Sequence, residues 1–413
     1  MRHTLSLFAL TLSLAHLAGC GSTAATPDAS TPDAATPADV SDPAYTPYAP
    51  AGARPVSISL GGHHGCARLD DGRVYCWGDN TWGQVGTGAT TLAQPRPIAV
   101  RGIRNATAIA SGSTFACALS SGAAYCWGNN SWGQLGNGTN RYSLTVTAVV
   151  GLSSGVRALA AGGALLVADT CALLDDGTVR CWGSNTNPND PTTPLLGVGA
   201  TSETVTTPMT VRGLASARQI AVGDAHACAL LANDTVMCWG SNNRDQCGRD
   251  GVTSVASPTT VADLADAVEV APGQFHTCAR RRDGSVVCWG DDSFGQLGDG
   301  TTGARATIAP VRGVTGATQV ASGDDFSCAV VASGAVMCWG RNLHGQLGDG
   351  TITDSSTPVT VRGLTNVTMI SLGDEHACAL RSDGTVMCWG RDHHAQLGDA
   401  TLTDRMTPVV LTF

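Results

Sequence analysis

The tripeptide Cys-Trp-Gly occurs seven times, starting at Cys76, Cys126, Cys181, Cys238, Cys288, Cys338 and Cys388. Four of the six intervals are 50 residues; the other two are 55 and 57. A period of this length constrains the fold more than any single motif does. Each copy must be one supersecondary unit that cannot bury its apolar surface alone, so the copies must cover one another. A complete unit reads PVTVRGLTNVTMISLGDEHACALRSDGTVMCWGRDHHAQLGDATLTD, residues 358–404. Four short β-type runs fall at 359–361, 367–371, 377–380 and 385–389, separated by glycine-containing turns and followed by one longer loop. Four strands and a loop per 50 residues predict a β-propeller blade.

Residue alternation explains why the blades must stack. In a strand, neighbours point to opposite faces. Cys378 and Leu380 share one face and Ala379 takes the other; Val386 and Cys388 share one face and Trp389 takes the other. Both faces are apolar, and radial stacking covers both. The composition agrees: 51 glycines and only 14% charged residues suit tight turns and short strands rather than long amphipathic helices. The chain ends on TPVVLTF, residues 407–413, which aligns with the first run of a unit, whereas the first copy starts at its second run, 56–60. This mismatch predicts an all-β, seven-bladed propeller whose ring is closed by the C-terminal strand, Val409 to Leu411 completing the first blade and hiding two sheet edges.

The units resemble the regulator of chromosome condensation repeat family. The matching residues are GDEHACAL (373–380), DGTVMCWG (383–390) and GQLGDGT (295–301 and 345–351), and the likeness recurs over 55–413. It implies a seven-bladed propeller. Eukaryotic members include a nucleotide-exchange factor for a small GTPase and chromatin binders, and a secreted bacterial relative inhibits β-lactamases. The third unit departs from the pattern. It has no GQLG, and an enlarged loop spans 185–207.

The N-terminus is read as a targeting segment. Arg2 and His3 precede an apolar stretch, 4–17, too short to span a bilayer comfortably. LAGC, 17–20, resembles a bacterial lipobox, so residues 1–19 are expected to be a lipoprotein signal peptide and Cys20 the lipidated residue. A diacylated Cys20 supplies the two chains that stable anchoring generally needs. Residues 20–54, rich in Pro, Ala, Thr and Asp, have no apolar period and are expected to form a disordered linker. The expected location is the bacterial cell envelope, at the outer membrane, with Cys20 the only membrane attachment.

Fourteen of the 16 cysteines form seven local pairs: Cys66/Cys76, Cys117/Cys126, Cys171/Cys181, Cys228/Cys238, Cys278/Cys288, Cys328/Cys338 and Cys378/Cys388. Each pair brackets a two-residue turn. In such a hairpin the cysteines lie directly opposite, within disulfide range. A zinc site would need several thiolates converging from C-x₂₋₄-C spacings, and a redox site C-x-x-C. The spacing therefore predicts seven structural disulfides, in keeping with an oxidising compartment. Cys247 stands where GQLG has Leu and is expected to be a small buried hydrophobe.

Two variable positions are candidates for function. Two residues before the first cysteine stand His64, Phe115, Asp169, His226, His276, Phe326 and His376. Four histidines around a ring invite a metal, but equivalent positions are spread around the axis, so packing and a local hydrogen bond are the expected role. The Gly-Asp-Gly turns are likewise read as turn chemistry and not as Ca²⁺ loops. Two residues before the Gln of GQLG stand Trp82, Trp132, Arg244, Phe294, His344 and His394. One slot holding six side chains that stack or anchor interfaces is the candidate binding rim. The alternative is that each ring packs on its own loop.

All 24 basic residues are Arg, and the net charge is −9. No Schiff-base or phosphate-loop lysine exists, no basic stripe marks a nucleic-acid footprint, and no catalytic constellation or cofactor motif is present. The expected protein is a monomeric, non-enzymatic, lipid-anchored binding propeller taking a protein or glycan partner, with no nucleic-acid partner. A secreted enzyme inhibitor and a polysaccharide-acting enzyme are the alternatives.

Overall fold

The computed structural model describes residues 45–413 apart from 51, 165–166 and 188–189. The signal segment, Cys20 and the linker up to residue 44 lie outside the described residues. Among the described residues, every regular element is a β-strand. They form seven four-stranded antiparallel sheets, and a two-stranded ribbon, Thr186–Asn187 with Asp190–Pro194, sits in the enlarged loop. The blades cover residues 55–99, 106–148, 156–210, 217–260, 267–310, 317–360 and 367–411, here blades 1 to 7. The seven innermost strands, Pro55–Leu60 in blade 1 and its equivalents, line a central channel of about 350 Å³.

The ring does not close by strand exchange. The C-terminal strand, Arg405–Leu411, pairs within its own blade 7, with Val409 opposite Cys388 and Leu411 opposite Val386. Blade 1 is completed locally by Thr91–Ala99. The first run of each sequence unit is thus the outermost strand of the preceding blade. Pairing across the 14 residues 391–404 closes a far smaller loop than pairing across the whole ring, so the local partner is favoured. The seam is sealed by side chains instead. Leu411 joins Ile58, Leu60, Ala67 and Trp77 in one apolar cluster, and the Phe413 ring packs edge-on to Trp77 at 6.1 Å. The Leu60 amide donates to Ser371 Oγ at 3.0 Å, and the Ala400 amide to the Pro95 carbonyl at 3.0 Å.

The folded part also starts earlier than expected. Residues 45–50 and 52–54, assigned from sequence to the linker, lie against blade 1: the Ala99 amide donates to the Pro47 carbonyl and the Asp70 amide to the Arg54 carbonyl. Tyr45 and Ala49 cover Leu69, Tyr75 and Ala99.

All seven cysteine pairs are disulfides, with Cα–Cα distances of 4.0–4.1 Å. Each joins directly opposed residues of a blade's second and third strands, as in Cys378 opposite Cys388. Cys247 is free and buried. The Trp of every Cys-Trp-Gly is fully buried. Six of the seven indole N–H groups donate to the carbonyl of the loop Gln in the preceding blade, for example Trp127 to Gln84 at 2.8 Å and Trp77 to Gln396 at 2.9 Å. Trp239 has no such bond because the loop before it is the one without GQLG.

Inner strands are fastened to their neighbours as well. Gln319 reads the next blade's edge like a strand, donating to the Ile370 carbonyl at 2.9 Å and accepting from its amide at 2.8 Å. Gln219 does the same to Val270. At one end of the channel Gly61, Gly112, Gly162, Gly223, Gly273, Gly323 and Gly373 form a ring. For six of them an added Cβ would lie 2.1–2.6 Å from the next blade's carbonyl oxygen, so only glycine lets the blades approach this closely.

Candidate binding face

The loops that follow Cys-Trp-Gly all lie at the end of the channel bearing the glycine ring. Their backbone is clamped the same way in each GQLG copy. In blade 1, Asn80 Oδ1 accepts from the Val85 amide at 3.1 Å and Gln84 Oε1 from the Trp82 amide at 2.9 Å. The same clamp holds Trp132, Arg244, Phe294, His344 and His394 through Gln134, Gln246, Gln296, Gln346 and Gln396. The rim side chains therefore rise from rigid loops. Asp299 and Asp349 cap their own loops by accepting from the amides of Thr301 and Thr351 at 2.9 Å, which is turn chemistry.

Five of the six rim side chains meet the next blade across the seam. Trp82 meets Tyr142 edge-on at 6.5 Å, and Arg341 lies over the Phe294 ring at 5.0 Å. Arg244 approaches Asp291 at 4.0 Å. His344 Nδ1 sits 2.8 Å from Asp404, and its Nε2 3.7 Å from Glu375. His394 stacks on His63 at 4.8 Å. Trp132 packs half-buried against the core. Five of the six are half-buried; Arg244 is exposed, with 55% of its side chain open to solvent.

One stretch of this face is densely charged. Glu375 receives Arg341 at 3.7 Å and a closer contact from Arg391, and Arg341 also pairs with Asp325 at 3.2 Å. His63 links this patch to the channel mouth through Asp374, 3.9 Å away.

The mouth is a feature that the sequence reading missed. A cavity of about 80 Å³ is ringed by the glycines and by Asp224, Asp324 and Asp374. These residues lie four before the first cysteine, where other blades carry Gly62, Ser113 and Gln274. Burial, then the charge of neighbouring carboxylates, pushes Asp224 and Asp374 up to about 7 and Asp324 well above the usual carboxylate range. Gln274 Nε2 donates to Asp224 at 3.0 Å.

The histidine slot behaves as packing. His226 Nε2 bonds Thr277 Oγ1 at 2.8 Å and His276 Nε2 bonds Ser327 Oγ at 2.7 Å, each across a seam. Ahead of His64 and His376 the equivalent positions hold Ala116 and Gly65, so neither has a hydroxyl partner. Burial pushes His64 and His276 down to about 4 and His226 and His376 to about 3, so all four are neutral. Asp169, alone in this slot as a carboxylic acid, is pushed well up by burial. Cys247 is likewise pushed up by burial and stays a thiol.

Known families and structures match this geometry. The RCC1-like domain model matches residues 167–413, and regulator of chromosome condensation (RCC1) repeat models match 71–119, 121–168 and 56–84. Among curated proteins, the E3 ubiquitin-protein ligases HERC2 of Homo sapiens and Mus musculus are each 41% identical over 64 residues. That stretch is 15% of this chain and 1% of theirs, so the chain spans a very small part of those relatives. Among solved structures, Prp20p from Saccharomyces cerevisiae, described with its binding to Gsp1p and histones, superposes with a TM-score of 0.71 at 21% identity. The match covers 82% of this chain and 85% of that one. Human WBSCR16 gives 0.71 at 22% identity, over 83% and 95%. At these identities the likeness shows the fold.

Proposed function

Because the chain belongs to the RCC1 repeat family, within which Prp20p is described as binding other proteins, we propose that it is a lipid-anchored binding propeller of the bacterial envelope. It holds a protein or glycan on the rim face and performs no chemistry of its own. One observation carries this reading: a loop backbone clamped identically in six blades presents four kinds of side chain, Trp, Arg, Phe and His. The fold needs the clamp, and it does not need Arg244 or Phe294 in particular. The seven disulfides point to an oxidising, extracellular environment. Cys20 then anchors the chain, with residues 21–44 as the tether.

Affinity capture with the full chain from envelope and secreted fractions tests the proposal. A retained partner should be lost on combining Arg244→Glu with Phe294→Ala, with an unchanged thermal melt. Undiminished capture would reject the rim. Labelling cells with a palmitate analogue should mark the protein, and Cys20→Ser should abolish the label; persistent labelling would reject the anchor.

A further inference from the structure

The outer edge of blade 2 repeats, uncovered, a site that blade 1 already has filled. On blade 1 the occupant is the chain's own segment Tyr45-Thr46-Pro47. The Tyr45 hydroxyl donates to the Ala99 carbonyl at 3.1 Å, and the Ala99 amide donates to the Pro47 carbonyl at 3.0 Å. The Tyr45 ring packs on Leu69, Tyr75 and Ala99, with the Arg101 guanidinium 4.8 Å above it. Tyr75 and Ala99 are buried as a result.

Blade 2 has the same frame. Tyr125 stands opposite Ala148 as Tyr75 stands opposite Ala99. The next residue bonds inward in both blades, Val149 N to Ala124 O as Val100 N to Val74 O. In this register the Ala148 N–H and C=O point away from the sheet, as those of Ala99 do. Only these two blades carry Tyr before the second cysteine; the others have Arg180, Met237, Val287, Met337 and Met387. Yet Tyr125 is only half-buried, Ala148 is exposed, and Val150, which replaces Arg101, is 49% exposed.

A second, independent feature marks this edge. Unpaired outer strands are commonly blunted by proline. Six of the seven outer strands contain one: Pro97, Pro208, Pro258, Pro310, Pro358 and Pro408 among them. The exception is blade 2, where Ser143–Ala148 reads SLTVTA. The blade with the unoccupied copy of the site is also the one whose outer strand has no proline to interrupt pairing along its length.

We propose that the outer edge of blade 2 is a docking site for an extended Tyr-x-Pro segment of a different protein, seated on Tyr125 and Ala148 as residues 45–47 are seated on blade 1. The chemistry at the middle position differs. Thr46 Oγ1 accepts from Arg73 at 3.2 Å, whereas blade 2 has Ala123 there, so the favoured middle residue is apolar, as in Tyr-Ala-Pro. This inference does not rest on the rim, which is a separate surface, and the two are read by separate variants.

The experiment is a fluorescence-anisotropy titration of a labelled Ala-Tyr-Ala-Pro-Ala peptide with the full chain, its own strap intact. Saturable binding is expected, weakened roughly tenfold or more by Ala148→Pro, which removes one docking hydrogen bond. Proline fits there, because Pro310 holds the equivalent position opposite Val287 in blade 5. Replacing the peptide's Tyr with Ala should weaken binding as much. Val150→Asp gives the same test if Ala148→Pro melts early. Absence of saturable binding, or binding indifferent to Ala148→Pro and Val150→Asp, would overturn the proposal. So would self-association of the free chain abolished by Ala148→Pro, which would make a second copy the occupant.

Discussion

Replacing Asp374 by Asn should stabilise the protein at pH 8, and by progressively less as the pH falls towards the ordinary carboxylate value near 4. Asp374 lies at the channel mouth with a quarter of its side chain open to solvent, facing His63 at 3.9 Å and sharing the ring with Asp224 and Asp324. Burial, then the charge of Glu375, holds its folded-state proton until about pH 7, against 3.8 for the ordinary group. The folded state therefore binds more protons than the unfolded chain between these values, and stability from this site is present at low pH and lost as pH rises. Three pH units at about 1.36 kcal/mol each set a ceiling of about 4 kcal/mol. Solvent at the mouth and the shared charge of the ring bring the expected gain from Asn to about 2–3 kcal/mol, or roughly 3–4 °C in Tm for a folded unit of this size. The neutral histidines work in the opposite direction: His64, His226, His276 and His376 cost stability as pH falls below about 6.5, the unfolded value. They are common to both proteins, so the difference between variant and parent isolates the carboxylate. Thermal melts at pH 5, 6, 7 and 8 suffice. A difference that does not grow with pH, or an Asn variant less stable at pH 8, would refute the reasoning.

Two further outcomes follow from the blade architecture. Alkylation of the denatured, unreduced chain should label Cys247 and, where lipid is absent, Cys20, and no other cysteine; fourteen additional labels would mean the pairs are reduced. Since closing a loop of this size contributes roughly 2–3 kcal/mol, reduction should also lower the melting temperature markedly. Gly273→Ala should destabilise by at least about 2 kcal/mol in a denaturant titration, because its Cβ would lie 2.4 Å from the Gly323 carbonyl oxygen, while Gly223→Ala, at 2.2 Å from the Gly273 oxygen, should behave alike.

Local features were legible in the sequence and long-range ones were not. The disulfides could be read because both partners sit on one hairpin, where ten residues and a two-residue turn fix the register. The frame of the blades could not, since the run at 359–361 can pair with a strand before or after it and periodicity alone does not choose. Loop closure chooses, and it assigned Arg405–Leu411 to blade 7. The acidic mouth was not read from sequence because Asp224, Asp324 and Asp374 share a slot with Gly62, Ser113 and Gln274 and sit in Gly-Asp contexts that read as turns. They become a site only when the ring brings equivalent positions to one axis. The rim position was found by its variation, but sequence could not show that its side chains cross the seam.

That crossing changes what variation between the copies means. His226 needs the hydroxyl of Thr277, and His276 that of Ser327. Gln319 reads the backbone at Ile370, and His394 stacks on His63. In each case a residue of one blade is matched to a residue about 50 positions later, or across the ring closure, so the copies differ partly because every seam must be complementary to itself alone. A side chain matched in this way fixes the order of the blades. Among the rim side chains Arg244 is the least matched, reaching Asp291 only at 4.0 Å, and on blade 2 Tyr125 is half-buried and Ala148 exposed. Recognition is therefore to be sought where a blade differs from its siblings and its neighbour does not answer the difference.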